Sequence, residues 1–169
     1  MRIMGVDPGS QSTGYGIIES GGSGHRAILF GAITVARGSS FPERLLQIYN
    51  GLNEVLLREK VDALAIEEVF HAANVQSALK LGHARGVALL VAAQHGIPVS
   101  EYTPLEIKNS LVGYGRAEKA QVQSMVCFLL GLPAAPVSDD AADALAVAIC
   151  HSHRNTDIAR LTARRSRHR

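Results

Sequence analysis

The sequence predicts an α/β protein built on a mixed five-stranded sheet that is flanked by helices. Three apolar runs with β-strand character follow one another near the N-terminus, and the hairpin-like stretch GGSG at residues 21–24 separates the second from the third. After residue 42 the apolar spacing becomes helical, and two further strand-like runs alternate with helices. Sequential strands favour an antiparallel meander, whereas strand–helix–strand units favour parallel strands joined by right-handed crossovers.

Each predicted element follows from its own apolar pattern and its boundary residues. The predicted strands are residues 2–7, 13–19, 26–35, 62–67 and 97–102. The predicted helices are residues 42–60, 74–94, 104–112, 118–130 and 138–153. The first helix has apolar residues at helical spacing, such as Leu45, Ile48 and Leu52. Ser138 has the side chain of an N-cap and starts the last helix.

The composition indicates one globular domain and excludes several classes of protein. The chain has 169 residues, of which 47% are hydrophobic and 19% are charged, as in soluble globular proteins. No apolar run reaches membrane-spanning length and no signal peptide precedes the first strand, so we expect a cytoplasmic protein. Cys127 and Cys150 lack metal-binding spacing and stand in apolar helical segments, so we expect both to be reduced thiols of the core.

The charge is unevenly distributed along the chain. The net charge is +2, yet residues 151–169 hold six arginines and one acidic residue, whereas residues 1–150 hold eleven basic and fourteen acidic residues. A mildly acidic body with a basic tail favours a polyanionic partner that the tail contacts, although a solvated end is the simpler interpretation. We therefore divide the chain into a domain over residues 1–154 and a basic, disordered tail over residues 155–169.

Acidic residues end two of the predicted strands. Asp7 ends the first strand and is followed by the turn-forming pair Pro8-Gly9, and Glu67 ends the fourth strand and is followed by Glu68. If these strands are parallel neighbours, their carboxyl ends share one edge of the sheet, so Asp7 and Glu67 can converge. The carboxyl ends of central strands are where α/β sheets usually hold their sites.

A third group of acidic residues lies in the segment VSDDAADALA at residues 137–146. Asp140 and Asp143 are three residues apart and Asp139 and Asp143 are four apart, so either pair shares one helix face. Acidic residues in the first turn also stabilise a helix N-terminus, which accounts for Asp139 without any site. The spacing leaves open which of the two residues joins Asp143.

Carboxylates gathered at one place predict a site for divalent cations. Like charges packed together repel and raise each other's pKa values, and a cation removes that repulsion. Hard oxygen ligands, without cysteine or a well-placed histidine, favour Mg²⁺ or Mn²⁺ over zinc. Two such ions about 3.5–4 Å apart can activate a water and stabilise the leaving oxygen of a phosphodiester. The pattern therefore indicates phosphodiester hydrolysis.

Five segments of the chain, taken together and in order, carry a family resemblance. The segments are MGVDPGSQSTGYG, AIEEVF, NVQSALKLGHARGVAL, VGYGRAEKAQVQ and DAADALAVAI. From about residue 2 to residue 153 they resemble the RuvC family of bacterial Holliday-junction resolvases. The resemblance implies a ribonuclease H-like nuclease domain, in agreement with the strand order. It also implies a homodimeric, Mg²⁺-dependent crossover junction endodeoxyribonuclease that nicks two opposed strands of a four-way DNA junction.

The resemblance assigns the catalytic acids one position at a time. Asp7 corresponds to the family acid of the DPG strand, and Glu67 corresponds to that of the A-I-E motif. In D-A-A-D-A-L-A, the two family acids fall on Asp140 and Asp143. The implied cofactor is two Mg²⁺ ions per site, with Mn²⁺ as a substitute, and we expect hydrolysis to leave 5′-phosphate and 3′-hydroxyl ends.

The resemblance also indicates residues that contact DNA. Lys108 in LEIKNSLVGYG and Lys119 in RAEKAQVQ correspond to family lysines that approach the scissile phosphate and the DNA backbone. Positive charge is needed there because DNA must be brought to an acidic site. Phe70 corresponds to an aromatic residue that stacks on an unpaired base at the junction centre. A core phenylalanine that caps the next helix is the alternative for Phe70.

Gly82 and Gly86 lie four residues apart on the long second helix and expose its backbone along one stripe. Either the protein's own sheet or a second copy of the chain could pack there. The resemblance favours a dimer interface, and two symmetric cuts require two active sites related by a two-fold axis. Family members work with the branch-migration proteins RuvA and RuvB in recombination and repair, so these are the implied partners.

Two other functions are considered as alternatives. An actin-like or sugar-kinase ATPase also binds phosphates with a D-x-G run after its first strand, but such proteins need two domains of this kind, and 169 residues do not accommodate them. A nucleic-acid-binding relative with an inactive site is the second alternative. Four matched carboxylates argue against it, because an inactive site has little reason to keep a set of charges that repel each other.

Overall fold

A computed structural model describes residues 1–21, 24–68, 74–134, 136 and 138–166, and it contains the predicted mixed sheet with helices on both faces. The strands are β1 (Arg2–Asp7), β2 (Ser12–Gly21), β3 (Gly24–Thr34), β4 (Ala63–Glu67) and β5 (Val99–Tyr102). The helices are α1 (Phe41–Arg58), α2 (Val75–Gln94), α3 (Pro104–Val112), α4 (Lys119–Leu130) and α5 (Asp139–Ser166). None of the helices described is long and apolar enough to cross a membrane.

The last helix differs in length from the sequence prediction. The apolar pattern ends it at residue 153, whereas α5 runs to Ser166. Residues 167–169 lie outside the described part of the chain. The division of the chain into a domain and a basic, disordered tail from residue 155 stays a prediction.

β1 lies in the middle of the sheet, whose strand order is β3-β2-β1-β4-β5. The pairs β1–β2 and β2–β3 are antiparallel, and the pairs β1–β4 and β4–β5 are parallel. Val6 lies opposite Ile66 in the β1–β4 ladder, so the next residues, Asp7 and Glu67, come at the same edge. The first and fourth strands are therefore parallel neighbours, which is the condition under which Asp7 and Glu67 can converge.

Alternating side chains of β1 divide the core into two layers. Met4 and Val6 belong to the layer that also contains Ile48 of α1 and Val91 of α2. Ile3 belongs to the opposite layer, which contains buried residues of α3, α4 and α5. Because successive side chains of a strand point to opposite faces, β1 is buried on both sides and holds its C-terminal end rigidly.

Glycines in β1 and β2 allow α5 to lie directly on the sheet. A Cβ atom added at Gly5 would lie 1.9 Å from the backbone oxygen of Ala144, and one added at Gly14 would lie 1.9 Å from that of Asp140. Any side chain at these positions would push the helix away from the strands. This close approach brings the first turns of α5 to the edge where β1 ends.

Local signals fix the ends of α3, the helix that carries Lys108. The Glu106 N–H donates to Thr103 Oγ1 at 3.2 Å, and the Thr103 N–H donates to Glu106 Oε2 at 3.0 Å, which forms a capping box. Gly113 ends the helix in the left-handed conformation, with φ 88°. α3 therefore begins directly after β5 and holds Lys108 on a regular turn.

We expect Gly5→Ala to lower the free energy of unfolding by about 2–3 kcal/mol, because the new methyl group would collide with the backbone of α5. Chemical denaturation followed by circular dichroism measures the change. Gly21→Ala is the matched control, since a Cβ atom at Gly21 has no described neighbour within 4 Å, and it should change the stability by less than about 0.5 kcal/mol. Equal stabilities of the two variants would contradict the direct contact between α5 and β1.

Candidate active site

The site begins where β1 and β4 end side by side, with Asp7 and Glu67 as their last residues. The chain then turns away from the sheet after Asp7. The Thr13 hydroxyl closes this turn, because it donates to the Gly9 oxygen at 2.8 Å and accepts from the Gly9 N–H at 3.3 Å.

The first turns of α5 bring two more acids to this edge. Asp143 and Asp140 both lie close enough to Asp7 for their charges to raise its pKa. The Ser12 hydroxyl, at the start of β2, donates to Asp140 Oδ2 at 2.5 Å and so holds that carboxylate toward the sheet. The structure therefore brings together the four acids that the family resemblance assigned to the site.

Burial and mutual repulsion raise the pKa values of the two strand carboxyls. The pKa of Asp7 rises from 3.8 to about 7, first through burial and then through the charges of the neighbouring acids, while Lys119 opposes the rise. The pKa of Glu67 also rises, from 4.5 to about 7, through burial and the charge of Asp143, against the lowering effect of Lys108 and Lys119. Near neutral pH a cation at this edge would therefore compete with protons.

Two lysines stand beside the acids in a cleft of about 220 Å³. Lys119, the first residue of α4, donates from Nζ to Asp143 Oδ2 at 2.9 Å. Lys108 of α3 lines the same cleft. The lining residues are Glu67, Pro104, Ile107, Lys108, Lys119, Val122, Asp143 and Ala146. A cleft that has carboxylates beside lysines suits a phosphate group bound next to cations.

Two further acids, Asp139 and Glu68, adjoin the site acids Asp140 and Glu67 in the chain. The Asp139 side chain is 70% exposed, and its Oδ2 lies 3.3 Å from Lys119 Nζ. Its Oδ1 accepts from Gln123 Nε2 at 2.8 Å, and the hydrogen bonds from Gln123 and Lys119 lower the pKa of Asp139. Glu68 follows β4. The charges that raise the pKa of Asp7 are those of the other three site acids.

The donor set fits hard divalent cations. It consists of carboxylate oxygens, which Mg²⁺ and Mn²⁺ prefer, and the mutual repulsion of these carboxylates is what a cation would relieve. Within the described residues, no three acidic, histidine or cysteine side chains already converge as the ligands of one ion. Lys119 and Ser12 each engage one oxygen, of Asp143 and Asp140 respectively.

The sequence patterns do not single out two polar side chains of this site, Ser12 and Gln123. A Ser-Gln-Ser-Thr run after a Pro-Gly turn does predict hydroxyl groups that bond to the nearby backbone, as Thr13 does. No local pattern pairs Ser12 with Asp140, because the two residues lie 128 positions apart in the chain. Phe70 lies outside the described residues, so its stacking role stays a prediction.

An apolar groove of about 490 Å³ runs along the outer face of α2. Its lining residues are Leu45, Ala78, Leu79, Gly82, His83, Gly86, Val87 and Leu90. A Cβ atom added at Gly82 or Gly86 would have no neighbour within 4 Å in the described part of the chain. The alternative that these glycines pack against the protein's own sheet is therefore wrong. The dimer interface itself stays a prediction.

Comparison with known proteins gives consistent matches over most of the chain. The family model described as crossover junction endodeoxyribonuclease RuvC matches residues 3–151. The RuvC protein of Ruminiclostridium cellulolyticum is 53% identical over 156 residues, which cover 91% of this chain and 94% of that protein. The RuvC protein of Chloroflexus aurantiacus is 52% identical over 153 residues, which cover 90% and 93%.

A solved structure agrees with these relatives. Thermus thermophilus RuvC in complex with a Holliday junction substrate matches with a TM-score of 0.86 and 35% identity, over 92% of this chain and 94% of that one. The ribonuclease H-like fold implied by the sequence motifs is thereby confirmed. The ATPase alternative loses its support, since the matches span most of the chain and name a nuclease.

We expect Asp7→Asn to raise the melting temperature of the metal-free protein at pH 8. A carboxyl whose pKa is about 7 in the folded state and 3.8 in the unfolded state favours folding fully below pH 3.8, and this contribution is lost as the pH rises through 7. Removing the carboxyl should therefore raise Tm by about 5 °C, on the order of 2 kcal/mol. Differential scanning calorimetry in EDTA measures the shift.

The control for this prediction is Glu54→Gln, which removes one carboxylate from the exposed face of α1, where Glu54 pairs with Arg58. It should move Tm by less than about 1 °C. At pH 4 the gain from Asp7→Asn should shrink, because Asp7 is then protonated in the folded protein. A gain of equal size at pH 4, or a loss at pH 8, would contradict the argument that burial and repulsion make the charged form of Asp7 unfavourable in the folded protein.

Proposed function

Since the chain belongs to the RuvC family of crossover junction endodeoxyribonucleases, we propose that it resolves four-way DNA junctions by paired, symmetric nicks. The observation that carries the proposal is the meeting of four carboxylates from β1, β4 and α5 at one edge of the sheet. The Thermus thermophilus relative, whose solved structure contains a Holliday junction substrate, supports the choice of DNA substrate.

Two Mg²⁺ ions would be held by Asp7, Glu67, Asp140 and Asp143, and Mn²⁺ would substitute. When bound, two such ions activate a water nucleophile and stabilise the departing 3′ oxygen. The role of the protein is to keep the carboxylate oxygens of these four residues in fixed positions. Asp7 and Glu67 extend from strands that are anchored in the core, and the hydrogen bond from Ser12 fixes Asp140. The raised pKa values of Asp7 and Glu67 support this assignment, because burial and, to a lesser degree, the neighbouring acids disfavour the charged carboxylates, and a bound cation would favour them.

Hydrolysis would break the bond between phosphorus and the 3′ oxygen. The water oxygen bonds to phosphorus, and the departing 3′ oxygen takes up a proton, which leaves 5′-phosphate and 3′-hydroxyl ends. Lys108 and Lys119 would bind phosphate oxygens and offset the repulsion between an acidic site and DNA. Phe70 would stack on an unpaired base at the junction centre.

A homodimer would present two such sites related by a two-fold axis, as two opposed cuts require. The groove along α2 supports this arrangement, because Leu79 and Leu90 on its walls are 58% and 55% exposed, and burying them against a second copy is favourable. The family resemblance further predicts RuvA and RuvB as partners. The proposed setting is homologous recombination and DNA repair in the cytoplasm.

We expect the protein to nick a synthetic immobile four-way junction at symmetric positions in Mg²⁺, and to leave a linear duplex of the same sequence intact. Asp7→Asn should reduce the cleavage rate by at least about 100-fold, since it removes a charged oxygen from the cation site. Denaturing gels of end-labelled strands measure both results. Binding of the Asp7→Asn variant to the junction in EDTA is the control, and it should match or exceed that of the unaltered protein.

Three outcomes would contradict this proposal in different ways. Full cleavage by Asp7→Asn at saturating Mg²⁺ would show that the assignment of the acid is wrong. Tight junction binding by the unaltered protein without cleavage in Mg²⁺ or Mn²⁺ would indicate a binding protein with an inactive site. Equal cutting of junction and duplex would indicate a nuclease that does not select for DNA structure.

We expect Gly86→Leu to convert the protein from a dimer to a monomer, because a leucine side chain would fill the groove along α2. Sedimentation velocity measures the change in mass. Gln94→Leu adds the same side chain to an exposed position of α2 outside the groove, and this variant should remain dimeric. On a junction, the Gly86→Leu variant should give single nicks rather than paired ones. A dimeric Gly86→Leu variant would contradict this interface.

A further inference from the structure

Lys119 lies between two carboxylates of α5, and only one of them belongs to the cluster of four acids. Its Nζ atom is 2.9 Å from Asp143 Oδ2 and 3.3 Å from Asp139 Oδ2. Asp143 and Asp139 are one helical turn apart on α5, and Lys119 is one turn from Gln123 on α4. Gln123 Nε2 in turn donates to Asp139 Oδ1 at 2.8 Å. The four side chains thus form a closed set across the α4–α5 contact.

We propose that Lys119 competes with a divalent cation for Asp143, and that Asp139 is a positioning residue that keeps Lys119 beside the site once the cation binds. This inference rests on the proposed metal-dependent function. Asp139 would then not be a ligand of the ion. Its role would be to bind the Lys119 side chain when the ion displaces it from Asp143.

The competition between Lys119 and the cation follows from their like charges. In the structure the Lys119 ammonium group is a single positive charge in contact with Asp143 and close enough to Asp7 and Glu67 to lower their pKa values. A divalent cation bound to Asp143 would lie beside that ammonium group and repel it. The ion must therefore weaken or replace the contact between Lys119 and Asp143.

Asp139 can keep Lys119 in place because it stands outside the acid cluster. Gln123 holds Oδ1 of Asp139, so Oδ2 remains directed to Lys119. The carboxylate is exposed, and its hydrogen bonds favour the charged form. Lys119 could thus give up Asp143, retain Asp139 and remain in the cleft where a phosphate would arrive. An ammonium group on a long flexible side chain suits this exchange of partners.

The first test measures cation binding without DNA, with Mn²⁺ as the probe. Electron paramagnetic resonance of the full-length protein counts the free Mn²⁺. Lys119→Gln should bind Mn²⁺ at least about 5-fold more tightly than the unaltered protein, because a competing charge is removed, and it should nevertheless cleave junctions more slowly. Lys108→Gln is the matched control. It removes the same charge from the same cleft. Lys108 lowers the pKa of Glu67 through its charge, but it forms no ion pair with a carboxylate of the described residues, so the gain in Mn²⁺ affinity should be smaller, less than about 2-fold.

The second test asks whether Asp139 acts through Lys119. Asp139→Asn should weaken Mn²⁺ binding about 3-fold, because Lys119 then has Asp143 as its remaining charged partner in the described structure. In the Lys119→Gln background the same substitution should have little effect. Such non-additivity is the signature of two residues that act together. A full loss of affinity in that background would identify Asp139 as a cation ligand and overturn the inference.

The two tests separate this inference from the proposed function. If the unaltered protein binds no Mn²⁺ at millimolar concentrations, the metal-dependent mechanism is wrong and the inference falls with it. If the protein binds Mn²⁺ and cleaves junctions, but Lys119→Gln gains no affinity beyond that of Lys108→Gln, only the competition is wrong. Tighter Mn²⁺ binding by Lys119→Gln, together with an Asp139→Asn effect that requires Lys119, would establish the positioning role.

Discussion

Repulsion among neighbouring carboxylates is the constraint around which this molecule is organised. Asp7 and Glu67 lie side by side because two parallel strands end together, and both have pKa values near 7 because burial and charge oppose their ionisation. Such crowding persists only if the supporting strands cannot move apart. β1 and β4 meet this condition, since they are neighbours inside a sheet with both faces packed. The rigid core is therefore a requirement of the site.

Backbone contact between α5 and the sheet sets the remaining distances in the site. At Gly14 the backbone of β2 approaches that of Asp140 so closely that no side chain fits between them. A helix kept off the sheet by side chains would carry Asp140 and Asp143 away from Asp7. The Ser12 hydroxyl then orients one oxygen of Asp140. Glycines in the strands thus determine which acids of the helix can act with Asp7.

The sequence predicts a mixed five-stranded sheet and places Asp7 and Glu67 at the ends of two strands, because apolar periodicity and connection rules depend on local pattern. Helical spacing alone could not choose between Asp139 and Asp140, since each shares a face with Asp143, and only the family resemblance favoured Asp140. That choice depends on where α5 contacts β2, a tertiary contact between residues far apart in the chain. The pattern also ended α5 early, because apolar spacing fades after residue 153. Residues 154–166 contain no glycine or proline that would stop a helix.

The balance of charge explains why such a site would include an acid that binds no ion. In the proposed mechanism two divalent ions neutralise four carboxylates, so the attraction for DNA phosphate must come from lysines. Before the ions bind, the same lysines face uncompensated carboxylates. A lysine that stays in the cleft both before and after the ions bind needs a second carboxylate partner outside the four site acids. Asp139 has the required properties, because it is exposed, stays charged and is held by Gln123. Its proximity to Asp140 in the sequence therefore need not imply a shared role.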